Sequence, residues 1–435
     1  MSSRIIRIGL IGCGVVGTGV LDILRSHAGT IERRLGATLV VEQIAVRNLA
    51  RKRSDIVPRE LLTDDPFAVA RNPNIDIVVE LMGGIDPAEQ VLREALERGK
   101  QVVTANKALL AEKGDALFDL ARQKGLDLYF EAAVAGGIPI IRALEQSLAS
   151  DDIQSIQGII NGTSNYILTE MAERGLDFEL ALASAQEAGY AEADPTLDVT
   201  GVDAAHKLAI LATLAFGVRV HPAHVTTEGI EDVDAYDIEY ADGFDYAIRP
   251  MAVASRSSDD VLDLRVHPAL VSIDNPLAHI TGSLNALSVH GERVGTVVLS
   301  GPGAGAGPTA ISVVSDVIDA ARNMLKGASG RVPSFIHDED DEPVVQDPND
   351  LKSRFYLRFT VRDEPGVLSE ITGKLSIFGV SIEKMFQNVE TGGAGGATVV
   401  ILTHEAREGA VRKALSAIDP LPHTLAPTRL LRILA

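Results

Sequence analysis

The stretch "RIIRIGLIGCGVVGTGVLDIL", residues 4 to 24, decides the fold of the N-terminal part of the chain. It has the pattern of an apolar strand, a glycine turn and the start of a helix. Gly12, Gly14 and Gly17 fit G-x-G-x-x-G, in which the first glycine makes the tight turn, the second admits a pyrophosphate and the third lets the helix pack on the strand. Phosphates would lie at the helix N-terminus, where backbone N–H groups and the helix dipole favour anions. The stretch therefore predicts a dinucleotide-binding fold.

Alternation of strands and helices continues to about residue 140. A helical pattern such as "DPAEQVLREALERG" (86–99) separates successive apolar strands. The strand candidates are "TLVVEQIAV" (38–46), "IDIVVELMGG" (75–84), "QVVTAN" (101–106) and "LDLYFEA" (126–132). This βαβ series predicts a Rossmann-type, doubly wound parallel sheet over residues 1–140.

The end of the second strand bears on which dinucleotide binds. An acidic residue at this tip usually holds the ribose 2′-OH of NAD, whereas arginine accommodates the 2′-phosphate of NADP. Here the strand ends at Arg47, followed by Arg51, Lys52 and Arg53, and Glu42 lies inside the strand. These cations favour NADP, with NAD as the alternative cofactor. The other interpretation, a solvated basic loop, stays open.

Two short motifs follow strands of the same series, "ELMGG" (80–84) and "TANK" (104–107). Both fall at the carboxyl edge of the sheet, where ligands bind in open α/β folds. Lys107 is therefore predicted near the nicotinamide end of the cofactor, although most lysines lie on the surface. The one cysteine, Cys13, lies in the phosphate turn. It cannot reach a substrate carbonyl there, which disfavours thiolate-dependent aldehyde oxidation and leaves hydride exchange between a carbonyl and an alcohol.

Length and composition set outer limits. The chain has 435 residues, which suggests about two to four domains. Lys and Arg total 40 against 60 Asp and Glu, a net charge of −20 that argues against general binding to nucleic acid or anionic membrane. A single cysteine excludes a disulfide framework. The sequence has no run of about 18 apolar residues and no signal-peptide layout, so we expect a soluble, cytoplasmic protein.

The pattern changes after residue 140. "DDIQSIQGIINGTSNYIL" (151–168) reads as a strand, a tight turn and a helix start, and amphipathic helices are predicted over 177–189 and 201–216. Strands follow between residues 247 and 301. We expect an α+β substrate and dimerisation domain over 141–304 with a mixed sheet that could pair a second subunit. A glycine loop and helix over 305–328 are expected to complete the nucleotide domain.

The run "GYAEADPTLDVTGVDAAHK" (189–207) places several acids before a lysine. Asp203 and Lys207 are four residues apart and would share one face of a helix. Taken alone, such a pair is usually a solvated surface contact. Glu192, Asp194 and Asp198 precede it, and the fragment itself leaves open whether this is a decorated helix or a substrate site.

The C-terminal part has its own organisation. Residues 329–352 include the acidic, proline-containing stretch "HDEDDEPVVQDPND" and are predicted to form a linker. Residues 353–435 follow the order βαββαβ of a ferredoxin-like module, and "DEPGVLSEI" (363–371) resembles the ligand turn of an ACT domain, a small amino-acid-sensing module. The same four residues, Asp363 to Gly366, are also an ordinary β–α turn.

The motifs together resemble homoserine dehydrogenase over about residues 5 to 325. Those that carry the resemblance, in order, are "GLIGCGVVG", "ELMGG", "TANK", "EAAVAGGIPI", "NGTSNYI", "GYAEADPTLDVTGVDAAHKL" and "GAGAGPTA". The resemblance implies reduction of L-aspartate 4-semialdehyde to L-homoserine with NAD(P)H, in threonine, isoleucine and methionine biosynthesis. The rival hypotheses are another dehydrogenase of a small amino or hydroxy acid on this fold, and a nucleotide sensor without turnover.

The resemblance also implies roles for individual residues. Lys207 corresponds to the proton donor, and Lys107 to a residue that contacts substrate and cofactor. Glu192 and Asp203 correspond to contacts of homoserine, with Asp194 and Asp198 as nearby support. A structural monovalent cation, sodium in the family, is implied at the carboxylate of Glu131 and the backbone carbonyls of Val134, Gly136 and Ile138.

The remaining expectations concern cofactor contacts and partners. The residues expected to contact the cofactor are Gly12, Gly14, Val15, Val16, Gly17, Arg47, Arg53, Met82, Gly83, Thr104, Lys107, Gly189 and Gly305. A homodimer or homotetramer is expected. L-threonine is the expected effector of the ACT domain, with a second ligand contact near Val380 and Ser381 or near Gln387 and Asn388.

Overall fold

The computed structural model describes residues 4–257, 259–331, 343–392 and 396–434. Its strands are β1 (Arg4–Ile11), β2 (Ala37–Ala45), β3 (Leu62–Thr63), β4 (Ile77–Glu80), β5 (Gln101–Thr104), β6 (Leu128–Tyr129), β7 (Ile153–Ile159), β8 (Thr226–Thr227), β9 (Tyr246–Arg256), β10 (Leu262–Ser272), β11 (Leu284–Gly291), β12 (Gly295–Pro302), β13 (Lys352–Arg362), β14 (Ile382–Gly392), β15 (Gly396–Thr403), β16 (Ala406–Arg407) and β17 (Thr424–Leu434).

The helices are α1 (Val15–Ser26), α2 (Ala28–Leu35), α3 (Pro66–Arg71), α4 (Ala88–Glu97), α5 (Lys107–Lys124), α6 (Ile140–Arg142), α7 (Gly162–Arg174), α8 (Phe178–Glu187), α9 (Thr196–Val199), α10 (Val202–Phe216), α11 (Ala235–Asp242), α12 (Ala306–Lys326), α13 (Val367–Ile377) and α14 (Glu408–Ile418). Short 3-10 turns span Arg59–Leu61, Glu131–Ala133, Pro222–His224, Pro276–His279 and Pro348–Asp350, and a π-helical turn spans Ala143–Ser147. Among the described residues, no helix is long and apolar enough to cross a membrane.

The chain divides into two compact units, each assembled from separate segments. The first contains Met1–Ile156, Asp203–Val225 and Leu284–Pro343, and the second Gln157–Val202, Thr226–Ser283 and Val344–Ala435. These units cut across the four consecutive segments expected from the sequence, whose boundaries stay predictions. Part of the expected linker, residues 332–342, lies outside the described residues.

The sheet of the first unit has the order β3-β2-β1-β4-β5-β6, and its paired strands all run parallel. This confirms the predicted Rossmann-type sheet. Its central strands are buried on both faces, and residues of α12 such as Val313 and Val317 belong to the same apolar core. The approach of α12 to α1 requires Gly19, because a Cβ there would lie 2.7 Å from the carbonyl oxygen of Ala306. The hairpin β11–β12 belongs to this unit as well.

The second unit contains a mixed sheet with the order β9-β10-β17-β13-β15-β14. The C-terminal part supplies β13, α13, β14, β15, α14 and β17, which confirms the predicted βαββαβ order of an ACT domain. Its last strand, β17, pairs in parallel with β10 from the middle of the chain, with Ala269 opposite Arg432. The tail is therefore hydrogen-bonded to the segment that precedes it, as part of one continuous sheet.

Candidate active site

The "TANK" motif positions Lys107 through a helix cap. The side-chain oxygen of Asn106 accepts the backbone N–H of Leu109 at 3.1 Å, which makes Lys107 the first residue of α5. The amide nitrogen of Asn106 donates to the carbonyl oxygen of Gly84 at 2.6 Å, so the cap also holds the "ELMGG" turn. Within that turn, Met82 and Gly83 both donate backbone N–H groups to Glu80, a residue that the sequence analysis did not single out.

Helix α10 carries Asp203 and Lys207 one turn apart, as predicted. The ammonium nitrogen of Lys207 lies 2.5 Å from one carboxylate oxygen of Asp203, and that of Lys107 lies 2.9 Å from the other. Asp203 is buried, with 8% of its side chain exposed, and Lys207 is exposed by 13%. Two residues predicted from one helix are thus joined by a third from α5.

The charge state of Asp203 follows from its surroundings. Burial alone would raise its pKa, but the ammonium groups of Lys207 and Lys107 outweigh burial and hold the pKa of this carboxyl well below its usual range. Asp203 is therefore ionised at neutral pH and fixes one ammonium group at each oxygen. Two ammonium groups around one carboxylate form a positively charged cluster, which is suited to an oxygen that gains negative charge during a reaction.

The acids that precede Asp203 in sequence lie in the second unit and have different surroundings. Asp198, in α9, accepts a hydrogen bond from the side-chain amide of Asn161 at 2.7 Å. The oxygen of the same amide accepts the backbone N–H of Ser164 at 2.8 Å and caps α7. Asn161 was missed as a functional candidate, although it begins the quoted "NGTSNYI" motif. Glu192 is exposed.

Asp194 has a local structural role. Its carboxylate accepts both the backbone N–H of Thr196, at 3.2 Å, and the Thr196 hydroxyl, at 2.6 Å. The side-chain bond from Thr196 is the larger cause of its lowered pKa. Asp194 thus orders the entry to α9. Gly189, just after α8, has φ +76°, a conformation that glycine adopts readily.

The glycine turn after β1 has room for a phosphate. Gly12 has φ +97°, and a Cβ there would lie 2.6 Å from the backbone of Leu81, so a larger residue is excluded. At Gly17 a Cβ would lie 2.4 Å from the carbonyl oxygen of Gly12, whereas at Gly14 it would meet no described atom within 4 Å. No described side chain caps α1, and Val15 in its first turn is 71% exposed. The turn fits a dinucleotide pyrophosphate.

The basic loop after β2 lies near this turn. Arg47 is exposed, and the guanidinium of Arg53 donates to the carbonyl oxygens of Arg51 at 3.0 Å and Asn48 at 2.8 Å. Burial raises the pKa of the Cys13 thiol, while the charge of Arg53 partly opposes that rise. Cys13 is therefore a protonated thiol beside a cation, not a nucleophile. Glu42 pairs with Arg7 at 3.2 Å within the sheet and not at its tip.

The expected cation ligands lie on one turn after β6. The buried carboxylate of Glu131 accepts the backbone N–H groups of Ile141, at 2.9 Å, and Arg142, at 3.0 Å. The carbonyl oxygen of Gly136 accepts the hydroxyl of Ser312 at 2.7 Å. The same carboxylate pairs with the guanidinium of Arg142 at 3.4 Å. Carboxylate and carbonyl oxygens are the hard donors that such cations prefer, and the cation at these residues stays a prediction. Among the described residues there is no cluster of His, Cys, Asp and Glu suited to a metal ion.

The expected cofactor contact Gly305 lies directly before α12, the helix that also carries Ser312. Gly305 precedes that helix with φ +115°, and no described side chain caps the helix start. At this second glycine-rich helix start, Gly305 has a backbone conformation that residues with a Cβ rarely adopt.

Known proteins resemble this chain over nearly its whole length. Residues 12–131 match the family model for the homoserine dehydrogenase NAD binding domain, residues 139–318 that for homoserine dehydrogenase, and residues 355–420 that for the ACT domain. The chain is 42% identical over 432 residues to the homoserine dehydrogenase of Pseudomonas aeruginosa, with 98% of each chain covered.

Solved structures are also similar. A homoserine dehydrogenase from Thiobacillus denitrificans is 40% identical and superposes with a TM-score of 0.93 over 99% of both chains. A hyperthermophilic archaeal homoserine dehydrogenase in complex with NADPH is 28% identical, with a TM-score of 0.63 over 74% of this chain and 98% of that one. The chain therefore belongs to the homoserine dehydrogenase family, NAD(P)-dependent oxidoreductases that act on a CH–OH group.

Proposed function

We propose that this protein reduces L-aspartate 4-semialdehyde to L-homoserine with NADPH, and that Lys207 donates the proton. The observation that carries the proposal is the cluster in which Lys107 and Lys207 share the buried carboxylate of Asp203. A protein that only sensed nucleotides would have no need for two ammonium groups placed in this way.

The chemistry follows from charge. NADPH, when bound, would supply a hydride to the aldehyde carbon, and the carbonyl oxygen would then become an alkoxide unless a proton reached it. The Lys207 ammonium, held by Asp203, donates that proton, and Lys107 adds positive charge at the same oxygen. By resemblance to the family, Glu192 and Asp203 contact the ammonium and hydroxyl groups of homoserine, with Asp194 and Asp198 as nearby support.

The test is homoserine-dependent reduction of NADP and of NAD by wild-type protein and by Lys207→Met. Methionine keeps much of the length of lysine but has no proton to give. We expect turnover to fall by roughly 10²–10⁴-fold, while NADPH binding, followed by fluorescence titration, stays nearly unchanged. Lys124→Met, at the exposed end of α5, is the matched control. Near-normal turnover of Lys207→Met would remove Lys207 from the mechanism.

We also propose that the physiological cofactor is NADPH, held at its 2′-phosphate by Arg47 and Arg53. The support is the basic loop beside the glycine turn, the engagement of Glu42 elsewhere, and the NADPH complex of the archaeal relative. Arg47→Ala should raise the Michaelis constant for NADPH far more than that for NADH, by losing a charge-assisted contact of roughly 1.5–3 kcal/mol. Arg33→Ala, exposed on α2, is the control, and equal effects on both cofactors would contradict the proposal.

The ACT domain is proposed to bind an amino acid, with L-threonine as the first ligand to test. A cavity of about 340 Å³ adjoins the Asp363–Gly366 turn and is bounded by Gln387 and Val399. Gly366 has φ +97° and directly precedes α13, whose start has no described side-chain cap, an arrangement suited to a carboxylate.

Point variants test this proposal better than truncation, because removing the tail would also remove β17 from its pairing with β10. Gln387→Ala should raise the threonine concentration for half-inhibition by about tenfold, equivalent to roughly 1.4 kcal/mol. Lys384→Ala, on the alternate face of β14, should not change it. Threonine would be excluded at this cavity if it did not inhibit the wild-type protein. It would also be excluded if Gln387→Ala and Lys384→Ala had the same threonine concentration for half-inhibition.

The monovalent cation at Glu131, the homodimer or homotetramer and the cytoplasmic location remain predictions. The cation proposal is supported by the oxygen donors around Gly136. It predicts a higher melting temperature in sodium chloride than in choline chloride at equal ionic strength, and a smaller difference for Glu131→Gln.

A further inference from the structure

One buried carboxylate near the site is not used by the chemistry proposed above. Glu80, the last residue of β4, is fully buried. Its Oε1 accepts the backbone N–H groups of Met82, at 2.7 Å, and Gly83, at 3.1 Å. Its Oε2 accepts the hydroxyl of Thr104 at 2.6 Å. A single side chain therefore ties the end of β4 to the end of β5.

The hydrogen bonds continue from Thr104 into α5. A hydroxyl has one hydrogen, and since Thr104 donates it to Glu80, its lone pairs are left to accept the backbone N–H of Asn106 at 3.0 Å. Asn106 in turn donates to the carbonyl oxygen of Gly84 and caps α5 through Leu109. These hydrogen bonds link Glu80 to Thr104 and Thr104 to Asn106, and they end at the first turn of α5, which begins with Lys107.

We propose that Glu80 is a positioning residue of the reaction, which sets the Met82–Gly84 turn and the start of α5 and so holds the Lys107 ammonium beside Asp203. The inference rests on the role proposed for Lys107. The donors that face Glu80 include the backbone N–H groups of Met82 and Gly83 and the Thr104 hydroxyl, and a carboxylate is suited to them because it only accepts. An amide at the same position would direct its NH₂ group either at the N–H donors of Met82 and Gly83 or at Thr104, whose hydroxyl would then have to turn its own hydrogen away.

The experiment measures steady-state kinetics and the primary deuterium isotope effect, with NADPH deuterated at the transferred position. The variants are Glu80→Gln, Thr104→Val and Thr104→Ser. We expect Glu80→Gln and Thr104→Val to lower kcat by roughly 10- to 100-fold with a smaller change in KM, because misplacement of about 1 Å costs this much. The isotope effect on kcat should rise as hydride transfer becomes more limiting, and Thr104→Ser should lose much less than Thr104→Val.

Asp127→Asn is the matched control for loss of a buried carboxylate. Asp127 directly precedes β6, at the amino-terminal end of the strands of the same sheet, whereas Glu80 lies at the carboxyl end. Asp127 accepts hydrogen bonds from the side-chain amide of Asn323 at 3.1 Å and from the backbone N–H of Gly330 at 2.9 Å. The Asp127→Asn substitution should lower the melting temperature but leave kcat within about twofold of the wild-type value. Equal losses of kcat in Glu80→Gln and Asp127→Asn, at equal folded fraction, would overturn the inference.

Two further comparisons keep the outcome decisive. If Glu80→Gln does not fold, equal kinetics of Thr104→Val and Thr104→Ser would overturn the inference instead. Lys107→Met separates it from the proposed function. Near-normal turnover of Lys107→Met would refute the role of Lys107. Loss of turnover in Lys107→Met with normal turnover in Glu80→Gln and Thr104→Val would refute the positioning role of Glu80 and leave the role of Lys107 intact.

Discussion

Two clusters of charged side chains in this protein, each built around a buried carboxylate, differ in composition. In the first, Lys107, Asp203 and Lys207 bring two ammonium groups to one carboxylate. The second joins the C-terminal tail to the segment after β8, and pairs two guanidinium groups, Arg432 and Arg412, with two carboxylates, Glu228 and Glu408. The first carries an excess of positive charge, and the second is neutral.

The geometry of the second cluster is that of matched planar groups. Arg432 is almost fully buried, and its guanidinium donates to both oxygens of Glu408 at 2.7 Å and to both oxygens of Glu228 at 2.8 Å. Arginine suits such rigid, bidentate pairing, whereas lysine is a compact point charge on a flexible stem. The matched geometry of the neutral cluster indicates a role in the fold. The excess positive charge of the other cluster is suited to an oxygen that gains negative charge during a reaction.

The largest effect that would test this contrast is on rate. Asp203→Asn keeps the shape of the side chain but removes the charge that holds two ammonium groups together. We expect kcat/KM to fall by roughly 10²–10⁴-fold with the protein still folded, because Lys107 is 39% exposed and its ammonium can turn to water. Steady-state assay and circular dichroism give both readings. Asp119→Asn, from an exposed pair with Arg122, is the control, and a loss of kcat/KM no larger than the control's would contradict the interpretation.

The neutral cluster should affect stability instead. Arg432→Met removes the buried positive charge that pairs with the fully buried carboxylate of Glu408. Breaking such a pair lowers the free energy of unfolding by about 3–5 kcal/mol. Urea unfolding should show this loss, while kcat of the folded fraction stays within about twofold. Arg407→Met removes a pair with Asp350 in which both side chains are more than 60% exposed, and should cost less than about 1 kcal/mol. A large loss of kcat in Arg432→Met would break the contrast.

The same contrast shows what the sequence could reveal. The glycine turn and the Asp203–Lys207 pair were predicted because both are local, set by spacings of two to four residues. The contact of Lys107 with Asp203 joins α5 to α10, and no spacing encodes it. Likewise Arg432 stands in "RLLRILA" as a charge in an apolar strand, without any local sign of Glu228 or Glu408.

Sheet pairing was predictable only in part. The parallel sheet of the first unit follows from its repeating βαβ pattern, since each crossover returns the chain to the same sheet. The pairing of β17 with β10 joins two segments that no such repeat connects. The sequence predicted a tail separated by a linker, and the order of its strands was right. Its hydrogen bonds to the earlier segment depend on tertiary contacts alone.

The smallest predicted effect is a pH dependence of stability at the edge of the neutral cluster. His267 on β10 is fully buried. Burial lowers the pKa of this imidazole well below its usual value, and the neighbouring charges of Arg432 and Arg265 lower it further, against the opposing carbonyl of Pro268 and carboxylate of Glu228. In the folded protein His267 therefore stays neutral, whereas in the unfolded chain it binds a proton below about pH 6.5.

Unfolding then takes up a proton, so the free energy of unfolding should fall as pH decreases below about 6.5, by up to about 1.4 kcal/mol per pH unit. Glu228 does not contribute in this window, because burial, which would raise its pKa, is outweighed by Arg432, which lowers it to about 2. Urea unfolding of wild-type protein and His267→Gln from pH 7.5 to 5.5 measures the difference in slope. The exposed His27→Gln is the control. If wild type and His267→Gln show the same slope, the imidazole of His267 is not held neutral in the folded protein, and the pH dependence of stability comes from other groups.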